Sequence, residues 1–258
     1  MSNQTIGFIG GGRITRIFIE GWTRARTLPA KITVSDPNAG SLRDLKNRFP
    51  GVTTTPDNGV AASQDIIFLA VHPPVLPETV ASVKSRLRPD ALLVSLAPKF
   101  TTTKLRELLG GFARLARVIP NAPSIVNFGF NPVAFADGLT PADKEAIRML
   151  LAPLGECPEV AETKLEAYAV LTAQAPTFFW FQLQALREVV LGFGLSEAEV
   201  TPALKRMVCG SARTLLESGL TPAEVMDLIP VKPLAEMETQ VNEMYRTRLP
   251  AIYQKIKP

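Results

Sequence analysis

The stretch Thr5-Ile-Gly-Phe-Ile9, followed directly by Gly10-Gly-Gly12, decides the fold. Its first part has the length and apolar character of a short buried strand, which the glycines end in a turn. Beyond the glycines, apolar residues recur at helical spacing from Ile14 to Trp22. A strand, a glycine turn and a helix in this order are typical of a dinucleotide-binding unit, in which a pyrophosphate lies at the N-terminus of the helix.

Each position of the glycine turn has an expected task. Gly10 makes the tight turn, and Gly12 lets the backbone approach a pyrophosphate. Arg13 adds a positive charge at the same helix end, while Thr15 stands where such units usually keep a smaller residue. The alternative is a strand-to-helix turn without a ligand, but the strand–turn–helix context favours nucleotide binding.

A second predicted strand, Lys31–Ser35, ends at Asp36. A dinucleotide-binding unit keeps an acidic residue at this point to bind a ribose 2′-hydroxyl, so Asp36 favours NAD slightly over NADP. The first Lys or Arg after it is Arg43, too far along to meet a 2′-phosphate directly. The alternative is that Asp36, followed by Pro37 and Asn38, only starts a turn.

Three later segments extend the predicted sheet. Asp65–Val71 and Ala91–Leu96 are apolar runs of strand length, which is typical of a parallel sheet covered on both faces, and Leu115–Ile119 provides a further strand. Helical segments at Leu76–Leu87 and Thr102–Leu109 separate these strands. The repeated βαβ order predicts an α/β fold, a Rossmann-type doubly wound parallel sheet, as far as about residue 120.

Ligands of such sheets bind beyond the carboxyl ends of the strands. That rule selects four loops: Gly10–Gly12, His72–Pro74, Ala97–Pro98 and Pro120–Pro123. His72, the one histidine of the sequence, is a candidate proton donor or cofactor contact; the alternative is that it caps its strand and bonds the local backbone. One histidine and two distant cysteines predict no metal site.

The composition bounds the class of protein. The 258 residues carry 28 Lys+Arg against 24 Asp+Glu, a formal net charge of +4, and are 46% hydrophobic. Such a chain buries a substantial core, which argues against disorder and against a nucleic-acid partner, and its mild positive charge suits small anionic ligands. The two cysteines, Cys157 and Cys209, are too few for a disulfide framework, so we expect buried thiols in a reducing compartment.

Two segments bear on localisation. Met1–Gln4 contains no basic residue and leads into a short apolar run that breaks at glycine, unlike a secretory signal, so we expect a cytoplasmic protein. Ala167–Leu186 runs without a charge over about the length of a bilayer span. It contains Thr172, Gln174 and further polar groups that hydrocarbon would penalise, so we expect no membrane partner.

The second half of the chain is predicted to be helical. Thr140 and the following Pro141 form a helix start, similar signals recur at Ser196 and Thr221, and Gly219 stands where a helix would stop. We therefore expect a dinucleotide-binding Rossmann domain at residues 1–160 and a helical dimerisation and substrate domain at residues 161–258.

The aromatic run Phe178–Phe181 carries more apolar surface than a short bundle easily hides. We infer a homodimer or a higher homo-oligomer. The alternative is that this helix packs inside a single chain.

From Ile6 to about Glu217, the sequence resembles the pyrroline-5-carboxylate reductase family. Ile6–Gly12 is similar to the opening of that family, and Phe68–Pro73 resembles its strand-to-loop motif with histidine for the usual lysine. Val118–Pro123 resembles its Met-Pro-Asn-Thr-Pro loop, and Leu215–Gly219 matches too. The resemblance implies NAD(P)H, a Rossmann domain, a helical domain that interlocks between subunits, and reduction of a cyclic imine as in proline biosynthesis.

Two departures fall on the substrate side. The Ser-Gly-Ser-Gly-Pro segment of the family is Thr172–Pro176 here, with larger residues at the small positions. Its Ser-Pro-Gly-Gly-Thr-Thr loop, which holds the substrate carboxylate, is replaced within Ile229–Glu236, where no glycine or threonine survives. Pro233 removes an N–H donor from this segment, and Lys232 is a candidate substitute charge.

The sequence thus favours an NAD(P)H-dependent reductase of a small anionic imine, acting either on pyrroline-5-carboxylate or on a related or bulkier imine. The alternative is a catalytically silent NAD(P)-binding protein, a sensor or partner subunit, because fold does not fix function. The candidate catalytic residues are Asn121, Thr172 and Lys232. The candidate cofactor-binding residues are Gly10, Gly11, Gly12, Arg13, Ile14, Ser35, Asp36, Ala70, Val71, His72, Pro73, Ala97 and Asn121.

Overall fold

The structure is a computed structural model that describes residues 4–258. Residues 1–3, part of the N-terminal stretch on which the prediction about secretion rests, lie outside the described residues. The strands are β1 (Ile6–Ile9), β2 (Ile32–Ser35), β3 (Thr53–Thr55), β4 (Ile66–Leu69), β5 (Leu92–Ser95), β6 (Leu115–Val118), β7 (Gly129–Phe130), β8 (Val133–Phe135) and β9 (Gly155–Glu156).

The α-helices flank the strands in the first part of the chain and follow one another in the second. They are α1 (Arg13–Ala25), α2 (Ala39–Arg48), α3 (Asn58–Ala62), α4 (Leu76–Val83), α5 (Thr102–Leu108), α6 (Pro141–Leu151), α7 (Leu165–Tyr168), α8 (Pro176–Gly192), α9 (Glu197–Glu217), α10 (Pro222–Asp227) and α11 (Ala235–Ile256). A π-helical turn, Ala169–Gln174, follows α7 directly.

The main sheet confirms the predicted Rossmann-type fold. Within residues 4–258 it has seven strands in the order β3-β2-β1-β4-β5-β6-β8. All neighbouring strands pair in parallel except β6 and β8, which are antiparallel. Strands β1, β4, β5 and β6 are buried along their whole length because helices cover both faces of the sheet.

An aromatic cluster lies under one face of the sheet. Phe8 on β1 stacks on Phe68 on β4 with ring centroids 4.8 Å apart, and Phe18 and Trp22 of α1 pack edge-on or tilted against them. The Trp22 Nε1–H donates to the Leu150 carbonyl at 2.7 Å, so its one polar group is also satisfied. This packing holds α1, and with it the glycine turn, in a fixed position on the sheet.

The described chain divides into two compact units, and the boundary lies later than the expected one at residue 160. The first unit ends at Gln174 and takes in Ile252–Pro258; the second is Ala175–Ala251. Segment 161–174 groups with the sheet because Leu165 and Ala169 pack against Ile119 and Ala134. The division into a Rossmann domain and a helical domain at residues 160 and 161 stays a prediction.

One expectation about the cysteines is wrong. Cys157 is half-buried and Cys209 on α9 is exposed, so the prediction of a buried thiol is wrong for Cys209 in the single chain. Cys209 is exposed because most residues of α9 are exposed to solvent in the single chain. Among residues 4–258, no helix combines the length and apolar character that a membrane span requires.

Candidate functional site

A cleft of ≈ 970 Å³ lies at the carboxyl edge of the sheet, where loops follow β1, β2, β4, β5 and β6. Asp36 follows β2 and Ile119 follows β6, with β1, β4 and β5 between those strands. Four strand spacings separate the two residues, or about 19 Å. The cleft therefore has the length to take an extended ligand across the sheet.

The lining of the cleft has two ends with different chemistry. The Asp36 end consists of Arg16, Asp36, Pro37, Asn38, Ser41 and Asn58. The Ile119 end consists of Leu96, Ala97, Pro98, Ile119, Pro120, Ala169, Ala173, Gln174 and Ile256. All the charged groups of the lining lie outside the Ile119 end.

The glycine turn between these ends has the geometry that the sequence predicts. Gly10 has φ +109°, and a Cβ built on it would meet the Ala70 carbonyl oxygen at 2.5 Å. A Cβ on Gly12 would meet no atom of the rest of the fold within 4 Å, because this residue faces the open cleft. Gly10 is thus required by the fold itself, whereas Gly12 keeps space free in the cleft.

The N-terminus of α1 is open toward the cleft. Gly12 is its N-cap and supplies no side-chain hydrogen bond, whereas the side chains of Asn38 and Thr101 cap α2 and α5. The first N–H groups of α1 therefore remain for a ligand, with Arg13 as an adjacent positive charge. An anion such as a pyrophosphate fits this arrangement.

Thr15 fills the third fingerprint position without loosening the turn. It is completely buried, and its hydroxyl donates to the Gly10 carbonyl at 2.5 Å. A hydroxyl that bonds the turn itself is satisfied inside the fold, so the larger side chain is accommodated there.

Asp36 connects the glycine turn to β2 and also lines the cleft. Its Oδ2 accepts from the Gly11 N–H and its Oδ1 accepts from the Asn38 N–H, each at 2.8 Å. Each carboxylate oxygen has a second lone pair, so Asp36 can still accept a bond from a ribose hydroxyl. Its negative charge also disfavours a phosphate at the same place.

Taken together, these residues fit a dinucleotide. Gly12, Arg13 and the α1 N-terminus would hold a pyrophosphate, and Asp36 would bind the ribose on the β2 side. The rest of an extended dinucleotide would then lie toward the Ile119 end. Residues 4–258 contain no group of three or more His, Cys, Asp or Glu side chains placed to hold a metal ion.

Comparisons with known proteins agree with this geometry. Residues 5–99 match the family model described as NADP oxidoreductase coenzyme F420-dependent. The chain is 30% identical over 226 residues to pyrroline-5-carboxylate reductase 3 of Bos taurus, covering 86% of this chain and 72% of that protein. The chain belongs to the pyrroline-5-carboxylate reductase family. It is also 28% identical over 227 residues to the Escherichia coli enzyme, which covers 88% of this chain and 84% of that protein.

Solved reductases share the fold along the whole chain. A Plasmodium falciparum pyrroline carboxylate reductase with NADP bound has a TM-score of 0.83 at 20% identity, covering 100% of this chain and 98% of its own. A pyrroline-5-carboxylate reductase from Coxiella burnetii has a TM-score of 0.70 at 25% identity, covering 99% and 95%.

Most of the predicted cofactor-binding residues of this family member lie together in the cleft lining. These are Gly10, Gly12, Arg13, Ile14, Asp36, Ala70, Val71, His72, Pro73 and Ala97. Gly11 and Ser35 are buried behind the lining: Gly11 donates to Asp36, and the Ser35 hydroxyl donates to the Phe8 carbonyl at 3.3 Å. Those two residues support the lining from behind.

Asn121, the asparagine of the family loop, is turned into the protein. It is 4% exposed, and its Nδ2 donates to the Phe130 carbonyl at 2.9 Å. Its Oδ1 accepts from the Ser124 hydroxyl, and its own N–H donates to the Asn131 side chain at 3.3 Å. These bonds shape the loop that carries Pro120 at the cleft, so a direct ligand contact by the Asn121 side chain stays a prediction.

The other two candidate catalytic residues lie in different units. Thr172 is in the π-helical turn, where its hydroxyl donates to the Tyr168 carbonyl at 2.9 Å, and its neighbour Ala173 lines the cleft. Lys232 belongs to the second unit and is exposed in the turn before α11. The catalytic roles of both residues remain predictions.

Several cleft residues are absent from the sequence-based prediction. Val75, Glu78, Thr79 and Ser82 line the cleft from α4 and the turn before it. Glu78, Thr79 and Ser82 follow Val75 by three, four and seven residues, a spacing that places all four on one face of a helix. Helical periodicity was therefore the signal that could have revealed them. Ile256 had no such signal, because it joins the first unit from the far side of the second in sequence.

Proposed function

We propose that this protein is an NAD(P)H-dependent reductase of a small cyclic imine that carries an acidic group. The observation that carries the proposal is the open N-terminus of α1 beside Gly12, in a cleft long enough for a dinucleotide. Family membership supports imine reduction. The same membership supports pyrroline-5-carboxylate as the first substrate to test.

Different parts of the cleft have different tasks in this proposal. NAD(P)H, when bound, supplies the hydride. Gly12 and Arg13 bind the pyrophosphate, Asp36 binds the ribose on its side, and the apolar residues of the Ile119 end exclude water around the reacting atoms. Since the lining of the Ile119 end contains no ionisable side chain, the imine is expected to enter already protonated.

The experiment is an NADH and NADPH oxidation assay on the purified protein. The panel contains pyrroline-5-carboxylate, pyrroline-2-carboxylate, piperideine carboxylates and a cyclic imine without a carboxylate. Turnover of one or more of these imines supports the reductase, and the preferred compound names the substrate class. Absence of turnover with every imine contradicts it.

Lys232 is the candidate binder of the substrate anion, because it lies in the segment that replaces the anion-binding loop of the family. Lys232→Ala is expected to raise KM for a carboxylated imine about 10- to 150-fold with little change in kcat, since a charge-assisted bond contributes about 1.5–3 kcal/mol. Lys205→Ala, at an exposed lysine of α9, is the matched control. An unchanged KM in Lys232→Ala contradicts the assignment.

A second candidate is a nucleotide-binding protein without turnover. It is favoured by Ile229–Glu236, which contains two prolines and no glycine, and in which Ile229 and Val231 are 68% and 74% exposed. Such a segment offers few backbone N–H donors to a carboxylate. Cofactor binding in calorimetry, combined with silence across the imine panel, would establish this candidate.

We propose NADH as the preferred cofactor because the Asp36 carboxylate faces the cleft. Asp36→Asn removes a repulsion of about 1–3 kcal/mol against a 2′-phosphate, so the ratio of Kd for NADPH to Kd for NADH is expected to fall about tenfold. Calorimetric titration measures both constants. Asp57→Asn is the matched control, because Asp57 also follows a strand and accepts a backbone N–H, from Gly59 at 2.7 Å, outside the cleft lining. An unchanged ratio in Asp36→Asn contradicts the proposed preference.

We propose that the protein is a homodimer formed through the second unit. Three consecutive aromatic residues of α8, Phe179, Trp180 and Phe181, are 51%, 52% and 68% exposed in the single chain. Large aromatic side chains exposed in this number are frequent at protein interfaces. Size-exclusion chromatography with light scattering is expected to give twice the chain mass of 28.0 kDa, and a 28.0 kDa particle would contradict the dimer.

A further inference from the structure

A buried arginine lies on β6, the strand next to the edge strand β8 of the main sheet. Arg117 on β6 is 1% exposed, and Glu166 on α7, its partner, is 2% exposed. The Arg117 Nη2 lies 2.5 Å from Glu166 Oε1, and its Nη1 lies 3.1 Å from Glu162 Oε1. Two charged side chains, Arg117 and Glu166, thus occupy a part of the core that apolar residues could fill, and the partly exposed Glu162 completes the network.

Both glutamates also bind the segment that runs from the loop after β5 to the first residue of α5. Glu166 Oε1 accepts from the Lys99 N–H at 3.4 Å. Glu162 Oε1 accepts from the Thr102 N–H at 2.7 Å, and its Oε2 accepts from the Thr102 hydroxyl at 3.0 Å. The network of Arg117, Glu162 and Glu166 therefore joins three segments that are distant in sequence.

Each joined segment continues into the Ile119 end of the cleft. Ala97 and Pro98 immediately precede Lys99, Ile119 is two residues beyond Arg117, and Ala169 is one turn beyond Glu166. The three network residues do not line the cleft themselves, but each joined segment contributes to its wall.

The backbone of the β5 loop depends on this support. Lys99 has φ +74°, a left-handed conformation that is unfavourable for a residue with a side chain. The bond from its N–H to Glu166 helps to hold that conformation. Strained backbone that surrounding structure holds in place is frequent beside binding sites.

Stability alone does not explain the network. A buried ion pair is often no more stabilising than apolar residues of the same volume, because both charges lose their hydration. The Arg117 Nε has no hydrogen-bond partner in the part of the chain that the structure describes, which adds to that penalty. The network instead fixes the positions of the three wall segments of the Ile119 end, at Ala97–Pro98, Ile119 and Ala169, relative to one another.

We propose that Arg117 and Glu166 are positioning residues for the nicotinamide half of the dinucleotide. The network holds the three walls of the Ile119 end at the separation that the nicotinamide ring requires, and it has no part in binding the adenine half near Asp36. This inference rests on the proposed function, because it assumes that the cleft binds NADH or NADPH.

The test compares two ligands that differ at one end. ADP-ribose contains the adenine, both phosphates and both riboses but lacks the nicotinamide. For Glu166→Gln, which keeps the shape and removes the charge, calorimetry is expected to show NADH binding about fivefold weaker and ADP-ribose binding within about twofold of the wild type. NADPH replaces NADH if the wild type binds it more tightly.

The control is a second arginine–carboxylate pair at the other end of β6. Arg114 Nη2 lies 2.7 Å from Asp143 Oδ1, and this pair is outside the lining of the dinucleotide cleft. Asp143→Asn is expected to leave both affinities unchanged, even if it lowers the melting temperature. An effect of Glu166→Gln that only followed stability would appear in this control as well.

Arg117→Lys is the second variant, because it keeps the positive charge but cannot bond both glutamates with one planar fork. It is expected to reproduce the selective loss of NADH affinity. A parallel fall for NADH and ADP-ribose, or no change for either, overturns the positioning role. A wild type that binds neither ligand overturns the proposed function instead.

Discussion

The two outer glycines of the nucleotide turn are predicted to respond oppositely to the same small change. Gly12→Ala adds a methyl group to an extended residue, with φ −75° and ψ −161°, and the added Cβ would meet no atom of the rest of the fold within 4 Å. The fold can therefore accept it. The methyl group would, however, stand where a pyrophosphate is expected to approach the backbone.

The magnitude for Gly12→Ala follows from these contacts. As an N-cap, alanine is worse than glycine by about 0.5–1 kcal/mol, and the smaller entropy of the unfolded chain offsets about 0.4–1 kcal/mol. The free energy of unfolding should thus change by less than about 0.5 kcal/mol. Forcing an extra methyl group against a bound phosphate costs about 1–3 kcal/mol, so Kd for NADH should rise about 5- to 150-fold.

Gly10→Ala is the comparison variant. Its residue has φ +109°, and the added Cβ would lie 2.5 Å from the Ala70 carbonyl oxygen. The conformation and the overlap together cost about 2–4 kcal/mol, which corresponds to a fall in melting temperature of about 4–16 °C.

Thermal melts without ligand and calorimetric titration with NADH measure the two quantities. The expected pattern is a Gly12→Ala protein that melts like the wild type but binds NADH weakly, and a Gly10→Ala protein that melts early. A Gly12→Ala protein that binds NADH as tightly as the wild type would refute the assignment of the turn to the pyrophosphate. Equal losses of stability in both variants would refute the geometric argument.

Three further predictions concern the rest of the chain. Burial raises the pKa of the Cys157 thiol to about 11, so Cys157 should resist alkylation at pH 8 in the folded protein and react in guanidinium, as read by peptide mass spectrometry. The Thr5 backbone N–H and Arg88 hold the pKa of Asp65 below its usual value, so Asp65→Asn should lower the free energy of unfolding at pH 7. In urea titrations, the difference in unfolding free energy between this variant and the wild type should shrink as the pH falls below about 4. Phe181→Asp should shift the light-scattering mass toward the monomer, because it places a charge in the proposed interface.

Much of the sheet could be predicted because its central strands are continuous apolar runs beside glycine and proline. The two edge strands, β3 and β8, could not be predicted in this way. Strand β3 consists of Thr53–Thr55, which has no apolar run and is held by pairing with β2. Strand β8, Val133–Phe135, is apolar, but no local pattern indicates that it runs antiparallel to β6.

The candidate site also contains parts that the sequence predicts and parts that it does not. The glycine turn and Asp36 are local features and could be predicted from spacing. Arg117 could not be assigned, because a strand pattern does not indicate how a buried charge is satisfied, and its partners follow 45 and 49 residues later in the chain. The π-helical turn at Ala169–Gln174 has no local signature either, since tertiary packing decides between α and π hydrogen bonding.

Ile256 makes the completion of the cleft a late event in folding. Strand β1, which leads into the glycine turn, pairs with β2 and β4 of the same unit. Ile256, in contrast, packs against Ile119, Ala134, Leu165 and Ala169 only after the chain has passed through the whole second unit. Contacts that close so long a loop form slowly. A refolding chain should therefore gain the Asp36 end of the cleft first and the Ile119 end last, so that the adenine half of a dinucleotide can bind before the nicotinamide half is enclosed.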